Sequence, residues 1–302
     1  MEALPPIPLE SWSDSKDTLH RFAQIIGKIR LAASPMRNHW WNVPFHLTGR
    51  GITTRPMGRP GIFTIDFDFV DHQLVIQPVA AEPVTIPLTD QSVASFYRRV
   101  FEALDRLGVE VSIWPVPFGL PGPAFPDDTA HATYDPMWVN RYWQVLSQVN
   151  LILEEFAGRY SGKTSPVHHF WHTFDIAVTR FSGQIVAPAP GVDPVTREAY
   201  SREVVSFGFW FGDDSFGEPA FYSYTAPEPR GLSDVGLRPD AAQWLQRPGS
   251  LAVLRYDDAR ALPDPEASVL DFWESAYQAG AGLAGWDIAG LSAPGGFTSR
   301  PG

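Results

Sequence analysis

Cysteine is absent from the 302-residue sequence. That excludes a disulfide framework, a thiolate nucleophile and any zinc or iron–sulfur site built on thiolates. Lysine is scarce: Lys16, Lys28 and Lys163 are the only three, and the other 20 basic residues are arginine. An excess of positive charge is also missing, since 23 basic residues face 34 acidic ones for a net charge of −11. This balance argues against a general nucleic-acid binder, which must neutralise phosphates. No apolar run approaches the roughly 20 residues that a membrane-spanning helix needs. The opening MEALPPIPLESW is acidic and proline-rich, without the basic and apolar regions of a signal peptide. The expectation is a soluble cytoplasmic protein with neither nucleic acid nor membrane as partner. GxGxxG, GxSxG and the kinase signatures do not occur. Ser161-Gly162-Lys163-Thr164 supplies the tail of a phosphate loop but lacks its upstream glycine and follows a helical pattern instead of a strand.

What the chain has in abundance is aromatic residues, 40 in all and 11 of them Trp. Rigid rings suit either a ligand pocket or a large core. Along the chain, 1–14 read as a proline-rich lead-in. Ser15 caps a predicted helix to about Leu31, with Leu19, Phe22, Ala23, Ile26 and Ile29 on one face. Strands are predicted near 43–53, 61–70 and 73–79, the last two joined by a tight hairpin at 70–73. A helix follows at 91–107, then a short strand at 109–114. Residues 116–135 form a Pro-rich connector. Next come a helix over 136–160, strands near 172–182, 202–212, 219–225 and 250–256, and a helix over 266–283. Loops are expected at 187–196 and 226–240, and a flexible tail at 291–302.

The two halves, 15–115 and 136–290, share an order of residues. Phe22-Ala23, Gly27-Lys28, Ser34-Pro35, His39, Trp41 and Arg50 are matched by Phe156-Ala157, Gly162-Lys163, Ser165-Pro166, His169, Trp171 and Arg180. This implies an internal duplication. The predicted fold is α/β of the α+β type: pseudo-two-fold helix–strands–helix units forming one compact sandwich of antiparallel or mixed sheets with helices.

The runs TLHRFAQIIGKIRLAASP, NHWW, FDFVDH, SPVHHFW, TRFSG and FYSYTAPEP resemble the signature segments of a bacterial family known only as a domain of unknown function. The resemblance covers nearly the whole chain. It implies a single-chain, full-length bacterial domain, and a residue other than histidine at the position of His172. It implies no activity and no catalytic residues.

The candidate chemistry centres on His168-His169-Phe170-Trp171-His172. As a helix this run would place His168 and His172 four apart, but it lacks the glutamate of a zinc-protease motif. As a strand it puts His168, Phe170 and His172 on one side and His169, Trp171 and Asp175 on the other. His168 and His172 are the candidate ligands of a divalent metal; four residues of strand span about 13 Å, the outer limit for one ion, so sharing it needs a local helical turn, or else His168 binds with ligands from elsewhere. The alternative is one core and one surface histidine. Asp66, Asp68 and His72 form a second group, fit for a cation or acid–base work, or else a solvated strand face. Glu203, at the mouth of an apolar strand, is a candidate general base or an ion-pair partner for Arg180. The combined expectation is an enzyme acting on a small molecule in an aromatic, His-lined pocket between the halves, with His39, His169 and Glu203 catalytic. The alternative is a non-catalytic module that binds a hydrophobic ligand or another protein.

Overall fold

A computed structural model describes residues 4–247 and 249–293. The rest of the expected tail, from 294 on, lies outside the described residues, as do residues 1–3 of the lead-in. The fold is mixed α+β, its strands paired antiparallel. Two compact units divide the chain. One comprises Ile7–Leu146 with His168–Phe174, the other the described parts of Met1–Pro6, Ser147–Val167 and Asp175–Gly302. The Pro-rich stretch 116–135 lies inside the first unit.

In the first unit, helix α1 (Ser13–Ala33) buries Leu19, Phe22, Ala23, Ile26 and Ile29, the stripe that the 3.6-residue period specifies. Pro35 lies just beyond its end and prevents continuation. Five strands follow as a meander in spatial order: β1 (His46–Leu47), β2 (Gly51–Thr53), β3 (Phe63–Asp68), β4 (Gln73–Pro78) and β5 (Val84–Pro87). The strand expected over 43–53 is therefore split by a turn. On β3, Phe63, Ile65 and Phe67 alternate into the core while Thr64 and Asp66 face away. Helix α2 (Val93–Arg106) is capped by Ser92, whose Oγ accepts from Ser95 N at 3.3 Å. Phe96 of α2 stacks on Phe22 at 4.0 Å between centroids.

The segment 109–114, expected as a strand, runs without a sheet partner. The connector after it is pinned to α1. Gln24 donates to Phe118 O at 2.9 Å and accepts from Phe118 N at 2.7 Å. Helix α3 (Pro136–Gly158) contributes its first part to this unit and its second part to the other. Strand β6 (His168–Phe170) exchanges backbone hydrogen bonds with Phe45, at 2.8 and 3.0 Å. The strand expected from 172 starts only at 175. Residues 171–174 form a turn that ends at Phe174, with φ 59°.

The second unit holds β7 (Asp175–Ile185), α4 (Pro194–Ala199), β8 (Arg202–Trp210), β9 (Ala220–Ala226), β10 (Gln243–Arg247), β11 (Gly249–Arg255), α5 (Tyr256–Arg260), α6 (Pro265–Leu283) and α7 (Ile288–Leu291). Its strands stand in the order β10-β11-β9-β8-β7. Asp264 caps α6 by accepting from Ala267 N at 3.0 Å, with Pro265 at the first helical position. Trp273 of α6 is fully buried and donates to Tyr222 O at 3.2 Å. Helix α4 starts within a segment expected as loop. Asp193 caps it, accepting from Val195 N and Thr196 N, with Pro194 following.

Candidate functional site

The five residues singled out from the sequence have different surroundings. On β6 the two histidines face opposite ways. His169 is fully buried among Tyr142, Phe45 and Phe174, and its Nε2 shares a 2.6 Å hydrogen bond with the Tyr142 hydroxyl. Burial pushes it down to about 3. His168, 1% exposed, has its ring 5.1 Å from His46, 5.8 Å from Phe170 and 6.2 Å from Trp41. His172 sits in the turn beyond β6, half-buried, with its ring near Phe118, Phe170 and Trp171. The strand that carries His168 ends at Phe170, so the two histidines do not lie on one continuous strand face. His39 reaches the surroundings of His168 indirectly: its ring lies 5.6 Å from Trp41.

Glu203 belongs to the second unit, on β8. Its Oε2 accepts from Ser182 Oγ at 2.8 Å and from Trp286 Nε1 at 2.9 Å. Arg180 does not pair with it. That guanidinium lies 3.8 Å over Phe156, donates to Phe156 O at 2.7 Å and has Glu274 as its carboxylate, at 3.7 Å. The Asp66, Asp68 and His72 group is likewise dispersed into local structure. Asp68 accepts from Arg50 Nε at 2.6 Å and from the Val70 and Asp71 amides, while His72 is hydrogen-bonded to the Tyr134 hydroxyl at 3.1 Å. Among the described residues, no group of three or more His, Asp or Glu is placed to hold a metal ion.

What converges in the first unit is a basic cluster that the sequence did not single out. His168 is held near neutrality of charge by burial first, then by His46, Arg30, Arg37 and Arg55, and is driven to about 2. His46 is lowered to about 3 by burial and by the same three arginines. Arg30, 4% exposed on α1, is lowered to about 10 by burial and by Arg55 and Arg37; it stays protonated at neutral pH. Arg37 and Arg55 are exposed, so the cluster runs from open guanidiniums down to a buried imidazole.

Neither ring nitrogen of His168 has a hydrogen-bond partner, and Nε2 of His46 and Nε of Arg30 also lack one. Buried polar groups are ordinarily satisfied, so four such atoms together call for an explanation. The charges are equally unbalanced. Seven other arginines, including Arg21, Arg50, Arg180 and Arg238, each have a carboxylate within 4 Å. Among the described residues, none of Arg30, Arg37 and Arg55 does, although the chain carries an excess of acids.

The supporting backbone is constrained. His39, Trp40 and Arg55 have φ of 56°, 59° and 62°, values that cost a non-glycine residue about 1 kcal/mol or more. Asn42 Oδ1 accepts from Arg37 N at 3.1 Å, Trp171 Nε1 donates to Val43 O at 3.1 Å, and Gly58 N donates to Ala33 O at 2.9 Å. The first bond closes the loop carrying Arg37 on itself, the second ties the turn after β6 to Val43, and the third ties the turn after Arg55 to the end of α1.

Open depressions of about 350 Å³ occur elsewhere, one lined by Leu4, Gln148, Leu151 and Glu155, another by Tyr97, Arg98, Phe101 and Asp105. Neither holds a histidine or tryptophan, and neither gathers unopposed charge. No helix among the described residues is long and apolar enough to cross a membrane. A sequence model of DUF5996, described as a family of unknown function, matches residues 4–293. Comparison with curated proteins and with solved structures gives no match.

Proposed function

The chain belongs to DUF5996, a family of unknown function, and from the geometry we propose that it binds a small anionic molecule at Arg30, Arg37, Arg55, His46 and His168. The observation that carries this reading is a fully buried imidazole with neither nitrogen bonded, in the electrostatic field of three arginines that have no carboxylate within 4 Å among the described residues. Guanidinium forks suit planar or tetrahedral oxyanions. An anion entering between Arg37 and Arg55 would relieve the mutual repulsion of the arginines and could accept from an orphaned N–H donor of the cluster. Trp41 and His39 supply ring surface for the body of the molecule.

The divalent metal considered for His168 and His172 is the weaker reading. A cation beside His168 would meet the field of three permanent positive charges. Catalysis on the bound molecule is a second reading. The neutrality of His46 and His168 favours it, since a bound anion would lift both toward the range where an imidazole exchanges protons at neutral pH.

Titration of the purified protein with phosphate, sulfate, citrate and acetate, followed by calorimetry and Trp fluorescence, tests the proposal. Saturable binding of at least one anion is expected, weakened tenfold or more in the Arg37→Gln/Arg55→Gln double variant, whose exposed positions spare the fold. Absence of saturable binding by every anion overturns it.

A further inference from the structure

We propose that residues 110–114 of the first unit pair, antiparallel and about a two-fold axis, with the same residues of a second copy of this chain. The sequence here, Val109-Glu110-Val111-Ser112-Ile113-Trp114, has the β-branched and aromatic content of a strand. The backbone takes the matching form. It runs without turn or bend from Val109 to Pro115, and Glu110, Ser112 and Trp114 are exposed while Val109, Val111 and Ile113 are partly covered, the two-residue period of a strand. Yet among the described residues no backbone hydrogen bond reaches residues 110–114. An unpaired strand is a template for another extended chain.

One edge of this strand is open. The N–H and C=O of one strand residue point to the same edge, and successive residues alternate. Val109 N donates to Leu104 O at 2.9 Å, and Pro115 O accepts from Phe125 N at 2.8 Å. The edge of the odd-numbered residues is therefore turned to α2 and to the turn at Phe125–Asp127. The edge of Glu110, Ser112 and Trp114 faces away from both. A bend at Val116, between Pro115 and Pro117, ends the strand and keeps the open edge short, which limits runaway stacking.

The open edge is complementary to itself. With Ser112 opposite Ser112, Glu110 of each copy stands opposite Trp114 of the other, and the three residues on each side exchange six main-chain hydrogen bonds. This register lays each carboxylate beside an indole and sets the two Glu110 about 14 Å apart along the strands, so like charges are not opposed. Trp114 is 75% and Phe118 57% exposed. Together they present on the order of 300 Å² of surface per copy. Doubled across the axis and joined to the strand backbone, that suits a transient interface below about 1,200 Å², in a dimer that forms and dissociates with concentration.

Sedimentation equilibrium from about 10 µM to about 1 mM is expected to show a reversible monomer–dimer equilibrium. Ser112→Pro, which removes the N–H on the axis and fits an extended chain, and Trp114→Ala should each weaken it at least tenfold, with folding checked by circular dichroism. The chain has no cysteine, so Ser112→Cys introduces a single thiol. Across the axis the two Cα atoms would stand about 5.5 Å apart, within the span of a disulfide. The oxidant diamide should therefore link copies of Ser112→Cys at least tenfold faster than copies of Glu110→Cys, whose thiols lie too far apart. A dimer left unchanged by Ser112→Pro and Trp114→Ala would overturn the proposal, as would equal linking of the two cysteine variants. A monomer at every concentration, with Ser112→Cys linking no faster than Glu110→Cys, would also overturn it and leave the edge to an extended segment of another protein.

Discussion

The indole of Trp171 lies on Gly27 of α1 so closely that a methyl group built on Gly27 would stand well inside van der Waals contact of the indole Cγ. Gly27 is helical and interior, a position where glycine costs about 1 kcal/mol relative to alanine. Its absent side chain gives the turn after β6 its seat, and Trp171 in turn donates to Val43 O. This contact fixes the distance between α1, which carries Arg30, and β6, which carries His168.

Gly27→Ala should therefore destabilise the protein despite the better helix propensity. Overpacking costs about 1–3 kcal/mol against the roughly 1 kcal/mol gained in the helix. A net loss of about 1–2 kcal/mol is expected in urea unfolding, together with weaker anion binding as Trp171 is displaced. A stabilised variant would show that the indole does not depend on that space.

Arg30 gives a prediction of opposite sign. A nearly buried guanidinium without a carboxylate is a cost to the free protein, accepted here beside two more arginines. Arg30→Met keeps the aliphatic stem and removes the charge. The variant should be about 1 kcal/mol more stable than the parent in buffer free of multivalent anions and should bind the anion that the parent binds, phosphate included, at least tenfold more weakly. Loss of stability together with unchanged phosphate binding would assign Arg30 to the scaffold.

The buried histidines set the pH dependence of the fold. His20, His168 and His169 are all in the first unit, 5% exposed or less. Burial leads the causes that lower them, to about 3, about 2 and about 3 respectively. Unfolded, each would titrate near 6.5. Between pH 6.5 and about 3 the unfolded chain thus holds the extra protons, so stability is complete above pH 6.5 and declines as the pH falls through that window. The limiting slope is about 1.4 kcal/mol per pH unit for each histidine. Urea midpoints measured from pH 7.5 to 4.5 should fall steeply below pH 6.5, and less steeply in His20→Gln. A midpoint flat down to pH 5 would mean that these rings are charged in the folded state.

The helices α1, α2, α3 and α6 were legible because each repeats apolar residues at helical spacing, as with Val93, Phe96, Val100 and Leu104, all buried. β3 was legible from the alternation of Phe63, Ile65 and Phe67. The candidate site was legible only at His168, with His39 on its approach. Arg30, Arg37 and Arg55 come from a helix and two loops, and their convergence depends on left-handed backbone at His39, Trp40 and Arg55, which no periodicity announces. The near-absence of lysine gave no pointer, since a chain that uses arginine almost throughout leaves an anion site hidden among ordinary ion pairs. The turn after Phe170 was not legible, because the residues that follow alternate as a continued strand would.

The Pro-rich stretch 116–135 reads as a free connector, yet it is anchored by charge. Asp128 is fully buried and Arg21 is 2% exposed, with Nε of Arg21 3.4 Å from Oδ2 of Asp128. The Arg21 guanidinium also donates to Pro121 O at 2.8 Å and to Asp17 O at 2.9 Å, and the His131 ring donates to Asp128 at 2.8 Å. Asp128 O in turn accepts from Ala94 N at the start of α2. Breaking a buried pair by removing one partner leaves the other charge uncompensated, at a cost of about 3–5 kcal/mol. Asp128→Ala should accordingly lose about that much stability. Limited proteolysis should then cut within 116–135 under conditions where the parent protein resists, and the double replacement Arg21→Met/Asp128→Leu should recover most of the loss. If Asp128→Ala is cut no faster than the parent, the connector is held by its prolines and by Gln24 alone, and the Arg21–Asp128 pair contributes nothing to its order.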